Sequence, residues 1–179
     1  MVIESNESRI YLLDNYTFCE HQFRNPIVTL QRQTKNKKDM SKMKFYADAS
    51  KVGLPFIEIK DEGEDYGSIW LVDTGSNDNL LFGYVYQQVK DMTIPVEGNY
   101  TIYGVDGKKT KMIKVKTTLS ICNKDCDITF LVREDDEAAK QLSQDMGFPI
   151  CGIIGSYFMA KHGWVIDLAK QEILIPDQM

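Results

Sequence analysis

Two histidines and four cysteines are all that this 179-residue chain offers to the commonest metal and nucleophile chemistries. Neither His21 nor His162 belongs to a His-Glu-x-x-His pattern, and no Gly-x-Ser-x-Gly elbow is present. Zinc-peptidase and serine-hydrolase chemistry therefore have no residues to stand on. Cys122-x-x-x-Cys126 has roughly zinc-like spacing, but no second pair or histidine supports it. The two read as a local disulfide or as plain thiols. Cys151, before Gly152, reads as a small core residue rather than a nucleophile. His162, next to Gly163, reads as a helix-end residue rather than a base. Four cysteines are also too few for a disulfide scaffold in a chain of this length, Cys19 included. No metal and no other cofactor is expected.

Long apolar runs are missing as well. None approaches the ~18 residues that span a bilayer. The N-terminus, MVIESNESRIYLLDNY, places Glu4 and Glu7 early and has no long apolar stretch, so it does not read as a signal peptide. No membrane segment is expected, and the location stays open, cytoplasmic if the chain is complete. An excess of positive charge is absent too. The net charge is −5, which argues against nucleic acid as a partner, since phosphate binding needs clustered Lys and Arg. The one basic stretch, residues 32–44 (RQTKNKKDMSKMK), reads as a solvated linker.

What is present suffices for a core: 43% of the residues are hydrophobic, in keeping with one globular domain. Residues 1–44 have weak periodicity, with Pro26-Ile27-Val28-Thr29-Leu30 as a single candidate strand. They are expected to be an N-terminal extension or linker, and residues 45–179 the domain proper. There, residues 54–60 and 68–73 read as strands of a hairpin around the acidic turn 61–67. Residues 80–90 read as a short helix. Residues 93–103 and 109–121 read as strands around Gly104-Val105-Asp106-Gly107, since Asp-Gly after an alternating run favours a hairpin. Residues 127–132 read as a strand, 134–146 as a helix ended by Gly147, and 150–154 as a short strand. A short helix over 155–162, stopped by Gly163, and a hairpin of 164–168 with 172–175 complete the chain. Short strands with a few helices favour a mainly β, compact and closed fold.

One stretch resists a folding-only account. In "SIWLVDTGSNDNLL" the apolar strand Ile69-Trp70-Leu71-Val72 runs straight into Asp73-Thr74-Gly75-Ser76. A carboxylate there is desolvated unless it has partners. Gly75 allows a sharp turn and a close approach of another segment. Taken alone, Asp-Thr-Gly is also ordinary turn chemistry. Some seventy-five residues later comes Cys151-Gly152-Ile153-Ile154-Gly155-Ser156-Tyr157-Phe158, then Gly163-Trp164-Val165-Ile166-Asp167-Leu168.

The pair "WLVDTGSNDNLL" and "GIIGSYFMAKHGWVIDL" resembles the retropepsin-like aspartic proteases, in order and in spacing, over roughly residues 54–175. The resemblance implies a closed retropepsin-like β-barrel with short helices and one Asp-Thr-Gly per subunit. It implies that Asp73 is the catalytic acid and that Thr74 bonds across a dimer axis. Gly75 and Ser76 would hold the carboxylate in its loop. Ile153, Ile154 and Gly155 would be the triplet that passes behind that loop. Tyr103, Gly104, Val105, Asp106 and Gly107 sit where the family keeps its substrate-binding flap. Only one apolar-Asp-Thr-Gly pattern exists, and the chemistry needs two carboxylates. The implied enzyme is therefore a homodimeric aspartic endopeptidase acting on peptide or protein substrates, with Asp73 from each subunit. The alternative is a non-catalytic peptide-binding or dimerisation module of the same fold.

Overall fold

The structure, a computed structural model, describes residues 2–5, 8–13, 16–19, 40–60, 65–103, 107, 109–133 and 137–177. The chain divides into two compact units, Met1–Asp39 and Met40–Met179. In the first, β1 (Val2–Ser5), β2 (Ser8–Leu13) and β3 (Tyr16–Cys19) form an antiparallel meander. The candidate strand at residues 26–30 lies outside the described residues.

The second unit opens with β4 (Met40–Lys44) and the single-turn helix α1 (Ala49–Val52), capped by Asp48. Strands β5 (Phe56–Ile59), β6 (Ser68–Asp73) and β7 (Asn79–Phe82) follow. Helix α2 (Gly83–Val89) and a 3-10 turn (Lys90–Met92) lead to β8 (Ile94–Tyr103), β9 (Lys109–Ser120) and β10 (Asp125–Arg133). Then come α3 (Glu137–Met146), β11 (Gly152–Gly155) and α4 (Ser156–Lys161). Strands β12 (Val165–Asp167) and β13 (Glu172–Pro176) end the unit.

Seven strands form one sheet in the order β5-β6-β11-β7-β10-β9-β8. Strand β6 explains its own sequence. Trp70 and Val72 enter one core cluster, with Ile57, Phe130, Ile154 and Phe158, while Ile69 and Leu71 enter another, with Phe56, Phe82 and Ile150. A strand buried on both faces reads as a continuous apolar run rather than an alternating one. Trp70 stacks on Phe130 with ring centroids 5.2 Å apart. Helix α3 covers the second cluster with Ala139, Leu142 and Met146. Gly147, at φ +77°, lets the chain turn away from that helix as expected.

The expected closed barrel is not what forms. The large sheet is open, with β5 and β8 as its edges. Closure would require a strand paired to the outer side of β8, and among the described residues β8 pairs with β9 alone. At the opposite edge a separate three-stranded sheet, β12-β13-β4, approaches β5. It does so through one bridge, Phe45 to Ile57, and the bond from the Tyr46 N–H to the Phe56 carbonyl. The mainly β character stands.

Two local expectations also change. Residues 80–82 are strand, not helix. As part of β7 they pair with β10 and β11, which buries Leu81 and Phe82 in different clusters, and the helix starts only at Gly83. Tertiary pairing here overrides local helix preference. Residues 40–44, the end of the basic stretch, form β4 and pair with β13. Lys44 and Lys42 reach the Glu172 carboxylate at 2.9 and 3.7 Å, and Lys44 in particular holds that carboxyl below its ordinary range.

Candidate functional site

Asp73 is the last residue of β6 and is half-buried. Its Oδ1 accepts the Gly75 N–H at 2.8 Å, and its carbonyl accepts the Ser76 N–H at 3.3 Å. This is a tight turn in which the side chain replaces a backbone acceptor. A Cβ on Gly75 would stand 3.2 Å from the same Oδ1, so glycine leaves the carboxylate room. Thr74 and Gly75 are exposed, and Ser76 is half-buried with its hydroxyl donating to the Asp78 carbonyl at 2.8 Å.

The triplet lies beside this turn. Strand β11 runs parallel to β6, with Ile153 opposite Leu71, Ile154 opposite Val72 and Gly155 opposite Asp73. The loop 74–78 crosses the end of β11 at very short range. A Cβ on Gly155 would be 2.5 Å from the Asp78 carbonyl oxygen, and one on Gly152 would be 2.0 Å from that of Leu80. Real side chains do not fit at such distances, so glycine at both positions is what permits the crossing. Ser156 fastens the loop from the other side. Its N–H and hydroxyl both donate to the Ser76 carbonyl, at 2.7 and 2.9 Å. The Tyr157 N–H adds a 3.2 Å bond to the Asn77 carbonyl.

Asp73, Thr74, Gly75 and Ser76 thus share one locus with Ile153, Ile154 and Gly155. The hairpin residues stand differently. Tyr103 ends β8 and pairs with Lys109, whose ammonium sits 5.5 Å above the Tyr103 ring. Gly107 is exposed at φ +74°. Gly104, Val105 and Asp106 lie outside the described residues. Among the described residues, no hydrogen bond joins Tyr103 or Gly107 to the Asp73 loop.

Cys122, Cys126 and Cys151 are free, and burial pushes each thiol up, away from the reactive thiolate. Among the described residues no three His, Cys, Asp or Glu side chains could hold a metal ion together. His162 ends α4 with its ring 4.4 Å from that of Phe158. Its Nε2 is buried without a partner, as is the Trp164 Nε1. Burial first, and Lys161 second, lower its pKa.

Asn79 and Ser156 join this locus although neither is a candidate from the sequence. Asn79 is 8% exposed, and its amide bonds to both β11 and β10. The available signal was a polar residue opening the apolar run Leu80-Leu81-Phe82. Beside the loop is a cavity of 220 Å³ lined in part by Asn77, Asp78, Thr129, Tyr157 and Lys161. No helix among the described residues is long and apolar enough to cross a membrane. No family model matches the chain, and no curated protein matches it.

Proposed function

We propose that the chain is an aspartic endopeptidase that works as a homodimer, with one Asp73 from each copy at a two-fold axis. The observation that carries the reading is the fastened Asp73 turn. A carboxylate ends a strand buried on both faces, takes a backbone N–H on one oxygen, and rests in a loop pinned over Ile153–Gly155. Such a mount fixes the direction of an acid and leaves its other oxygen free for chemistry.

One carboxylate cannot do the reaction alone. Two brought close together cannot both ionise cheaply, so they share a proton and titrate as a pair. The charged member takes a proton from a water held between them. The neutral member donates to the carbonyl oxygen of the scissile peptide as that water attacks. The substrate is an extended peptide, gripped through backbone hydrogen bonds and covered by the β8–β9 hairpin.

The Asp73→Asn variant tests this. The new side-chain carbonyl still accepts the Gly75 N–H, so folding stability should change by no more than about 0.5 kcal/mol. Peptide cleavage at acid pH should vanish. Undiminished cleavage by the purified D73N variant, or full activity from a strict monomer in sedimentation, would overturn the proposal. If the wild-type protein binds extended peptides and never cleaves them, the non-catalytic module is the better reading.

A further inference from the structure

We infer that Asn79 is a positioning residue for the Asp73 loop, its side-chain amide serving as donor and acceptor at once to lock the loop's crossing over β11. Strand β7 pairs with β11 over only two positions, Gly152 with Leu81 and Ile153 with Leu80. Past them, residues 77 and 78 swing across Gly155, with the Asp78 and Asn77 carbonyl oxygens 2.5 and 2.9 Å from where its Cβ would stand. The Gly155 N–H is then met by a side chain rather than a strand, donating to Asn79 Oδ1 at 2.9 Å in a buried bond. On the other side the Asn79 Nδ2 donates to the Thr129 carbonyl of β10 at 3.1 Å. One amide therefore joins β7, β10 and β11. A buried polar group left unmatched is costly, so both halves of the amide are needed.

The place matters as much as the bonds. Gly155 is the register partner of Asp73, so Asn79 fixes β11 at the level of the carboxylate. The next residue, Ser156, holds the Ser76 carbonyl twice. The loop is thus fastened at Ser76 by Ser156 and at its end by Asn79, and the direction of the Asp73 side chain depends on both. Misplacing a reacting group by about 1 Å can cost on the order of 10²-fold in rate without unfolding anything.

The requirement for donor and acceptor gives a sharp test. In Asn79→Asp the neutral carboxylic acid mimics Asn: its carbonyl accepts from Gly155 and its hydroxyl donates to Thr129. The ionised form offers only acceptors and sets a lone pair against the Thr129 carbonyl. Activity readouts rest on the protease proposal. With a peptide substrate, and folding checked by near-ultraviolet circular dichroism, N79D should lie within about 3-fold of wild type in acid. As pH rises its kcat should fall by on the order of 10-fold or more relative to wild type, with KM nearly unchanged. Asn79→Leu should lose kcat at every pH, without rescue in acid. A folded N79D with the wild-type pH profile of kcat would overturn the inference. So would losses that merely follow the folded fraction. Amide exchange measured by nuclear magnetic resonance needs no activity. In N79L the Gly155 amide should exchange at least about 10-fold faster than in wild type, as expected when a buried bond opens locally. Unchanged Gly155 protection would sink the inference even in a protein that cleaves. Lost protection in a protein that never cleaves would leave it standing while the protease proposal fell. Should N79L fail to fold, N79D compared across pH, by Gly155 exchange and by kcat, decides the matter.

Discussion

The Asp73 loop and the β8–β9 hairpin are opposites in how they are held. The loop is short and close-packed, with two glycines under it, a buried amide at one end and Ser156 at the other. The hairpin is long, and β8 buries no residue. Strand β9 sends Met112 and Val115 into the interior, but the side-chain contacts of β8 lie at the surface: Lys109 over Tyr103, Lys114 over Tyr100, and the Tyr100 hydroxyl donating to the Glu97 carbonyl. Its ladder is broken between Val96 and Tyr100, where Gly98 takes φ +144°. The loop is thus the more firmly held of the two, since segments with few buried contacts open at the lowest free energy.

The contrast can be broken most forcefully at two glycines. In Gly152→Ala the new methyl would stand 2.0 Å from the Leu80 carbonyl, and backbone must move to admit it. The β7–β11 pairing and the loop crossing should fail together, destabilising the protein by more than about 3 kcal/mol or preventing folding. In Gly107→Ala the methyl meets nothing within 4 Å, and the only cost is the left-handed backbone at φ +74°. That cost is about 1 kcal/mol. Urea unfolding of both variants makes the comparison. If Gly152→Ala unfolds no more easily than Gly107→Ala, the loop is not the tightly held region.

These elements also show what the chain spells out and what it does not. Strand β6 is legible because burial on both faces writes an unbroken apolar run, and the Asp-Thr-Gly-Ser at its end marks the turn. Gly155 was readable as part of Ile-Ile-Gly. The open sheet was not, because closure depends on whether β8 meets a strand far away in sequence, and nothing local to residues 94–103 encodes that meeting. Residues 80–82 suit helix or strand alike until β10 and β11 pack against them. Strand β4 hid in a basic run because its lysines point to an acid, Glu172, more than a hundred residues away. Asn79 is hidden in the sequence for a related reason: its two partners belong to other strands.

A smaller effect should come from His162, at the far end of the helix that follows Gly155. Its Nε2 is buried unpaired, and its pKa is lowered by burial and by Lys161, the charged group that acts on it. The unfolded chain therefore binds this proton at a higher pH than the folded one. Folding stability is full above the unfolded value of about 6.5 and is lost as pH falls towards the lower folded value. His162→Phe should flatten that part of the stability curve. The carboxylates act in a separate, more acidic window. Asp48, held to about 2 by the Ser50 hydroxyl, Gln171 and the Ser50 N–H, contributes stability above the unfolded value of about 3.9 that is lost only as pH falls towards 2. Urea midpoints between pH 7 and 4.5 isolate the histidine. A wild-type curve that is flat there, or unchanged by the substitution, would remove His162 as a weak point of the fold.

The smallest stability effect is expected on the hairpin itself. Tyr103 is 68% exposed, and its ring meets the Lys109 ammonium at the surface. Removing the ring in Tyr103→Ala should change unfolding free energy by about 0.5 kcal/mol or less, since exposed cation–π pairs contribute little. If the hairpin covers the substrate, the same change should raise KM several-fold and leave kcat nearly intact, because a cover of this kind holds ground state and transition state alike. Steady-state kinetics and unfolding on one preparation give both numbers. A destabilisation above about 1 kcal/mol would mean that the outer strand β8 is held as firmly as its partner β9. An unchanged KM would place the substrate away from Tyr103, and the rigid loop would then act beneath some other cover.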